Sequence, residues 1–264
     1  MSMNPPRAAI TALTLSTLAV GLNACGSADE TSPAADTVSS TRLSLVASTN
    51  VWGDVASQVG GDLVDVTSVI SDPNQDPHSF EADPGTLLDV SRAAVVITNG
   101  GGYDDFMAEL VEASDSDALV LDAVAVSGRT APDGEELNEH VWYDLPSVQS
   151  VARAVAEELS TADPDNATTY AGNAAAFEAD LDDLIAEETD AAASTSGATV
   201  GVTEPVPLYL SEAMGLTNVT PEAFSEAVEE GDDVSVAVLK ETLDAYAADE
   251  VDVLVVSRAR LVQL

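Results

Sequence analysis

The chain has 264 residues and carries 47 acidic side chains against eight basic ones, a net charge of −39 at neutral pH. A negative field of that strength excludes nucleic acid and anionic membrane surfaces as partners. The single cysteine rules out an intramolecular disulfide, and the length suits two compact lobes at ordinary domain sizes.

Arg7 precedes an uncharged, mostly apolar stretch from Ala8 to Leu22, which runs into Leu22-Asn23-Ala24-Cys25. Residues 1–24 therefore read as a secretory signal peptide. The stretch is shorter than the roughly 20 apolar residues that span a bilayer, so no transmembrane helix is expected. Cys25 follows a small residue, with Leu22 three positions earlier, which resembles a bacterial lipobox whose cysteine is lipidated. Residues 26–41, small and polar without aromatics, cannot bury enough apolar surface to order, and with Cys25 they form a flexible tether.

From Leu43 onward short apolar runs alternate with helical patterns. Leu43–Ser48, Leu63–Ile70, Ala94–Thr98 and Leu119–Leu121 read as strands, a βαβ rhythm that predicts a mostly parallel sheet. Asp83-Pro84, Asp163-Pro164 and Thr220-Pro221 each pair a capping residue with proline and predict helix starts. The spacing of Tyr170, Ala174, Phe177, Leu181, Leu184 and Ile185 predicts one long amphipathic helix, residues 163–193, with an acidic outer face. A second series follows: strand Thr199–Thr203, helix Val206–Met214, strand Leu216–Val219, helices Pro221–Glu230 and Val236–Ala247, and strand Val251–Val256. The fold class is thus α/β, with a first lobe over 42–162 and a second over 194–264.

Chemistry-bearing residues are few. The two histidines lie in polar loops after predicted strands, in Asp76-Pro77-His78-Ser79-Phe80-Glu81 and Glu139-His140-Val141-Trp142-Tyr143-Asp144. A lone loop histidine is ordinarily structural, but neutral imidazole is also the commonest side-chain metal ligand. Glu204 is delivered to the carboxyl end of strand Thr199–Thr203, where ligands collect in open α/β sheets. Trp52, Trp142, Tyr143 and Tyr209 sit beside these motifs, as core or as cleft wall. Asn99-Gly100-Gly101-Gly102-Tyr103 lacks the spacing and the basic residue of a phosphate loop and reads as a tight strand-to-helix turn.

These strings, the long helix, and Val202-Thr203-Glu204-Pro205 followed by Tyr209-Leu210 and Gly215-Leu216 occur in one order. That order resembles the zinc/manganese-binding cluster of bacterial ABC-importer solute-binding lipoproteins, over roughly Leu43 to Val256. The resemblance implies two α/β lobes joined by a rigid helix, with a divalent metal held in the cleft as cargo. By motif position the ligands would be His78, His140 and Glu204; the family's fourth, acidic ligand near the C-terminus has no counterpart. It also implies a monomer anchored to the cell membrane through lipidated Cys25, an ABC permease as partner, no organic cofactor and no enzymatic activity. Carboxylate-rich ligation, and the lack of histidines between Ser127 and Glu139, favour manganese over zinc. Two other readings stay open, an exported zinc metallohydrolase holding water on a two-histidine, one-glutamate site, and a surface adhesin. Family members continue past the strand matching Val251–Val256, whereas here Ser257–Leu264 carries Arg258 and Arg260 and no acid. A truncated second lobe is therefore expected.

Overall fold

The computed structural model describes residues 42–131, 136–248 and 251–257. The signal segment, Cys25, the tether and the basic tail after Ser257 lie outside the described residues, which all fall in one compact unit spanning Ser40–Leu264.

β1 (Leu43–Thr49) is buried on both faces, as its unbroken apolar run requires of a central parallel strand. It leads into α1 (Asn50–Gly60), where Trp52, Val55, Ala56 and Val59 recur at helical spacing and bury one face. β2 (Val64–Ile70), α2 (Pro84–Val90), β3 (Val95–Thr98), α3 (Phe106–Ser114), β4 (Leu119–Asp122) and α4 (Ala123–Ser127) follow. The four strands form a parallel sheet in the order β2-β1-β3-β4. Alternation along β1 and β3 splits the core in two. Leu45, Ala47, Val95 and Ile97 face α1 and later helices, while Val46 and Val96 face Val90, Phe106 and Met107 of α2 and α3.

α5 (Leu145–Ala162) covers the first of these faces with Val148, Val151, Val155 and Leu159. α6 (Ala167–Thr195) is the long helix, 29 residues and roughly 45 Å. Its expected stripe ends early: Tyr170, Ala174 and Leu181 are buried, but Leu184 is 46% exposed. The second series comprises β5 (Thr199–Val202), α7 (Leu208–Ala213), β6 (Thr217–Asn218), α8 (Glu222–Glu230), α9 (Val236–Ala247) and β7 (Val253–Val255). Its strands form a parallel sheet in the order β6-β5-β7. We call the parts built on the two sheets the first and second lobes.

Two of the three predicted proline starts shift, for a physical reason. Asp83 caps α2 as expected, accepting from Gly85 N and Thr86 N. The Asp163 carboxylate instead accepts from Asn166 Nδ2 and Tyr170 Oη, so Pro164–Asn166 is a 3₁₀ turn and α6 begins at Ala167. Thr220 Oγ1 accepts from Val202 N of β5, leaving Pro221 extended and α8 starting at Glu222.

Candidate metal centre

His78 and His140 are presented by the same local device. In Asp76-Pro77-His78, Asp76 Oδ1 accepts from His78 N at 3.0 Å and lies 3.2 Å from His78 Nδ1. In Asn138-Glu139-His140, Asn138 Oδ1 accepts from His140 N at 3.1 Å and lies 2.8 Å from His140 Nδ1. A backbone N–H can only donate, so the Asn138 atom facing it must be the oxygen, and its amide nitrogen then donates to Pro205 O at 3.2 Å. Both Nδ1 atoms therefore donate, which leaves Nε2 of each ring to face a carboxylate. Fixing the ring through the other nitrogen is how ligating histidines are oriented.

What meets the Nε2 atoms is carboxylate. Glu139 Oε1 lies 3.3 Å from His78 Nε2, and Glu229 Oε1 lies 2.9 Å from His140 Nε2. Ligand atoms of Glu139, His140 and Glu229 all fall within 4.8 Å of one another. A ring nitrogen lone pair and a carboxylate oxygen held this close require a proton or a cation between them. At His78 the proton is favoured: the hydrogen bond to Glu139 outweighs burial and raises its pKa to about 9. Burial alone would raise the Glu139 pKa, yet the His78 hydrogen bond and the nearby His140 hold it below the usual range. His140 is 1% exposed, and Glu139 and Glu229 are buried. The imidazole of His140 and the carboxylates of Glu139 and Glu229 form a donor set suited to first-row divalent ions, with His78 next to it on Glu139.

The walls are built by elements that sequence reading assigned other roles. The glycine-rich loop after β3 is indeed a turn into α3, with Gly100, Gly101 and Gly102 all at positive φ, where a side chain is strained. Asp104 secures it by accepting from Asn99 N and Gly100 N. The loop delivers Tyr103, whose ring lies 5.1 Å from that of His78 and 5.5 Å from that of His140. Trp142 packs 4.9 Å from His140, whereas Trp52 is fully buried core that donates to Asn99 Oδ1. His78, Glu139 and Glu229 open onto a cavity of about 990 Å³ between the lobes, with Arg129 and Tyr209 on its wall.

Glu204, expected as the third ligand, lies outside the Glu139, His140 and Glu229 group among the described residues, as His78 does. Thr203 N donates to Val255 O, which extends the sheet past Val202, and Glu204 lines a separate cavity of about 230 Å³ with Tyr143, Val206 and Val255. Glu229, in the last turn of α8, stands opposite His140 instead. Glu139, Glu229, Asn138 and Tyr103 were missed by sequence reading. The shared Asx-x-His spacing was a usable signal for Asn138; Glu229 carried none among 47 acids.

The model of the family described as zinc-uptake complex component A, periplasmic, matches residues 45–260. The chain belongs to this zinc-uptake component A family. A manganese-binding lipoprotein, MntA, of Halalkalibacterium halodurans is 27% identical over 179 residues, covering 67% of this chain and 59% of the relative. The manganese ABC transporter substrate-binding lipoprotein PsaA of Streptococcus pneumoniae is 28% identical over 186 residues, covering 66% and 58%. The chain thus spans between half and three fifths of the length of the curated relatives it matches. The fold matches that of the periplasmic zinc-binding protein TroA from Treponema pallidum, with a TM-score of 0.68 at 21% identity, over 80% of this chain and 76% of that one. The zinc-uptake component A fold, parallel α/β sheets with one long helix, is therefore the fold of this chain.

Proposed function

We propose that this protein captures a divalent transition-metal ion, manganese or zinc, outside the cell membrane and delivers it to an ABC permease. The observation that carries the reading is the group of Glu139, His140 and Glu229, whose ligand atoms lie within 4.8 Å of one another, with His78 Nε2 3.3 Å from Glu139 Oε1 beside it. The ion would be cargo, bound by both imidazoles with Glu229 and Glu139 supplying oxygen ligands. Binding without chemistry accords with a family of uptake components and with relatives named as metal-binding or substrate-binding lipoproteins. Anchoring through lipidated Cys25, an ABC permease partner and a monomeric state belong to the same proposal.

The test is titration calorimetry of the full chain with Mn²⁺ and with Zn²⁺, against His78→Ala and His140→Ala. Each variant should lose at least tenfold in affinity, since water replaces an imidazole poorly in a buried site. Variants that bind both ions like the parent would place the site elsewhere.

A further inference from the structure

Asn138 does more than orient one imidazole. Its Oδ1 accepts from His140 N and faces His140 Nδ1 at 2.8 Å. Its amide nitrogen reaches out of the first lobe to Pro205 O, just past β5. Its backbone carbonyl accepts from Tyr209 Oη of α7 at 2.8 Å. The Tyr209 ring in turn lies under the Arg129 guanidinium, 4.9 Å from its centroid, and Arg129 is held by a two-point pairing with Asp144 at 2.9 and 2.6 Å. Asp144 also accepts from Ser147 Oγ at the start of α5.

The second lobe therefore bears on both sides of the His140 ring, directly at Nε2 and through Asn138 at Nδ1. Glu229 faces Nε2 directly, and Pro205 and Tyr209 act on Nδ1 through Asn138. With the lobes docked, Asn138 is held at its side-chain nitrogen by Pro205 O and at its backbone carbonyl by Tyr209 Oη, which sets its Oδ1 against His140. Were they to separate, Asn138 would lose one side-chain and one backbone anchor and the ring its fixed plane, while Glu229 would withdraw from Nε2. Losing a precise ligand orientation weakens metal retention even when every ligand is still present.

We infer that Asn138 is a positioning residue that makes the ligand geometry of His140 conditional on docking of the second lobe, so that the Tyr209–Asn138 contact acts as a latch on bound metal. The inference rests on the metal-capture reading above. It gives the separation of the lobes a direct route to cargo release: whatever pulls Tyr209 and Pro205 from Asn138 loosens His140.

The experiment measures metal dissociation from the full chain, loaded with Mn²⁺ or Zn²⁺, by stopped-flow mixing with excess chelator. Tyr209→Phe removes one hydroxyl and keeps the ring under Arg129. It should speed dissociation roughly fivefold, the scale of one lost hydrogen bond, with the association rate little changed. Asn138→Ala should speed it more, and Tyr209→Phe should then add less in that background, because the hydroxyl grips the Asn138 backbone carbonyl and reaches His140 chiefly by setting where that side chain lies. In the zinc-loaded parent, long-range ¹H–¹⁵N spectra of the two imidazoles should show protonated Nδ1 and metal-bound Nε2. Unchanged dissociation in Tyr209→Phe, the same acceleration in both backgrounds, or His140 bound through Nδ1 would each overturn the latch while leaving metal capture intact. A parent chain that takes up neither ion overturns the metal-capture reading, and the latch with it.

Discussion

At the scale of single residues, the site depends on which carboxylates face which nitrogens. Glu229 stands 2.9 Å from His140 Nε2, whereas Glu204 lines another cavity. Glu229→Gln should therefore weaken Mn²⁺ binding at least tenfold and Glu204→Gln by less than threefold, as read by calorimetry. The reverse order would restore Glu204 as the ligand. His78 adds a pH dependence. Its pKa is raised to about 9 by the Glu139 hydrogen bond, so at neutral pH a metal ion must displace a proton from it. Apparent affinity should rise with pH up to about 9 and fall below neutrality, with proton uptake by buffer detectable during titration. The metal-free fold should show the opposite trend. A group whose folded pKa lies above its unfolded value stabilises fully below the unfolded pKa, here 6.5. That contribution is lost as pH climbs to about 9. Chemical denaturation of metal-free and metal-loaded protein across pH 6 to 9 separates the two trends, in steps set by the ordinary histidine range.

Elements matter here by how they are gripped. α5 is held along its whole apolar face, with Leu159 fully buried. Leu159→Ala should cost about 2–5 kcal/mol, the usual price of a core truncation. α6 is gripped at Tyr170, Ala174 and Leu181 and is only partly buried beyond them, with Thr195 Oγ1 donating to Met214 O near its end. Leu184→Ala should change stability by less than about 0.5 kcal/mol, as expected of an exposed position. Equal losses at the two positions in urea denaturation would mean that α6 is packed along its full length. The loop between β3 and α3 is a stricter case. A Cβ on Gly100 would lie 2.3 Å from the Asp122 carboxylate oxygens, at φ 77°. Gly100→Ala should displace Tyr103 and weaken metal binding as well as stability.

For the whole molecule, charge is the dominant property. A net charge of −39 draws divalent cations toward the surface, and the cavity wall adds Glu136, Glu212, Glu222, Glu226 and Glu230 to the candidate ligands. Crowding acts on them: burial, with Glu222 and Glu136 nearby, raises the Glu226 pKa to about 6. Attraction between exposed charges is screened within about 8–10 Å at physiological salt. The association rate of Mn²⁺ should therefore fall several-fold between about 0.01 and 0.15 M NaCl. Dissociation, set by buried ligands, should barely move. A salt-independent association rate would show that the acidic surface serves solubility alone.

Local pattern was enough for much of this protein. The four strands of the first sheet, the capped start of α2, the bounds of α9 and the long helix follow from apolar spacing and capping chemistry, which act within a few residues. The two histidines were legible as candidates because they are the only ones in the chain and because their motifs resemble those of a known family. The remaining candidate ligands were decided by tertiary structure. Whether Glu204 or Glu229 meets His140 depends on how the chain turns after β5 and on the seat of α8, and both follow from contacts distant in sequence, such as Val202 N to Thr220 Oγ1. The same holds for Asn138, whose side chain is pinned by its own loop but whose second anchor, Pro205, lies 67 residues away. Sequence spacing carries the periodicity of an element; only packing brings two elements to one point.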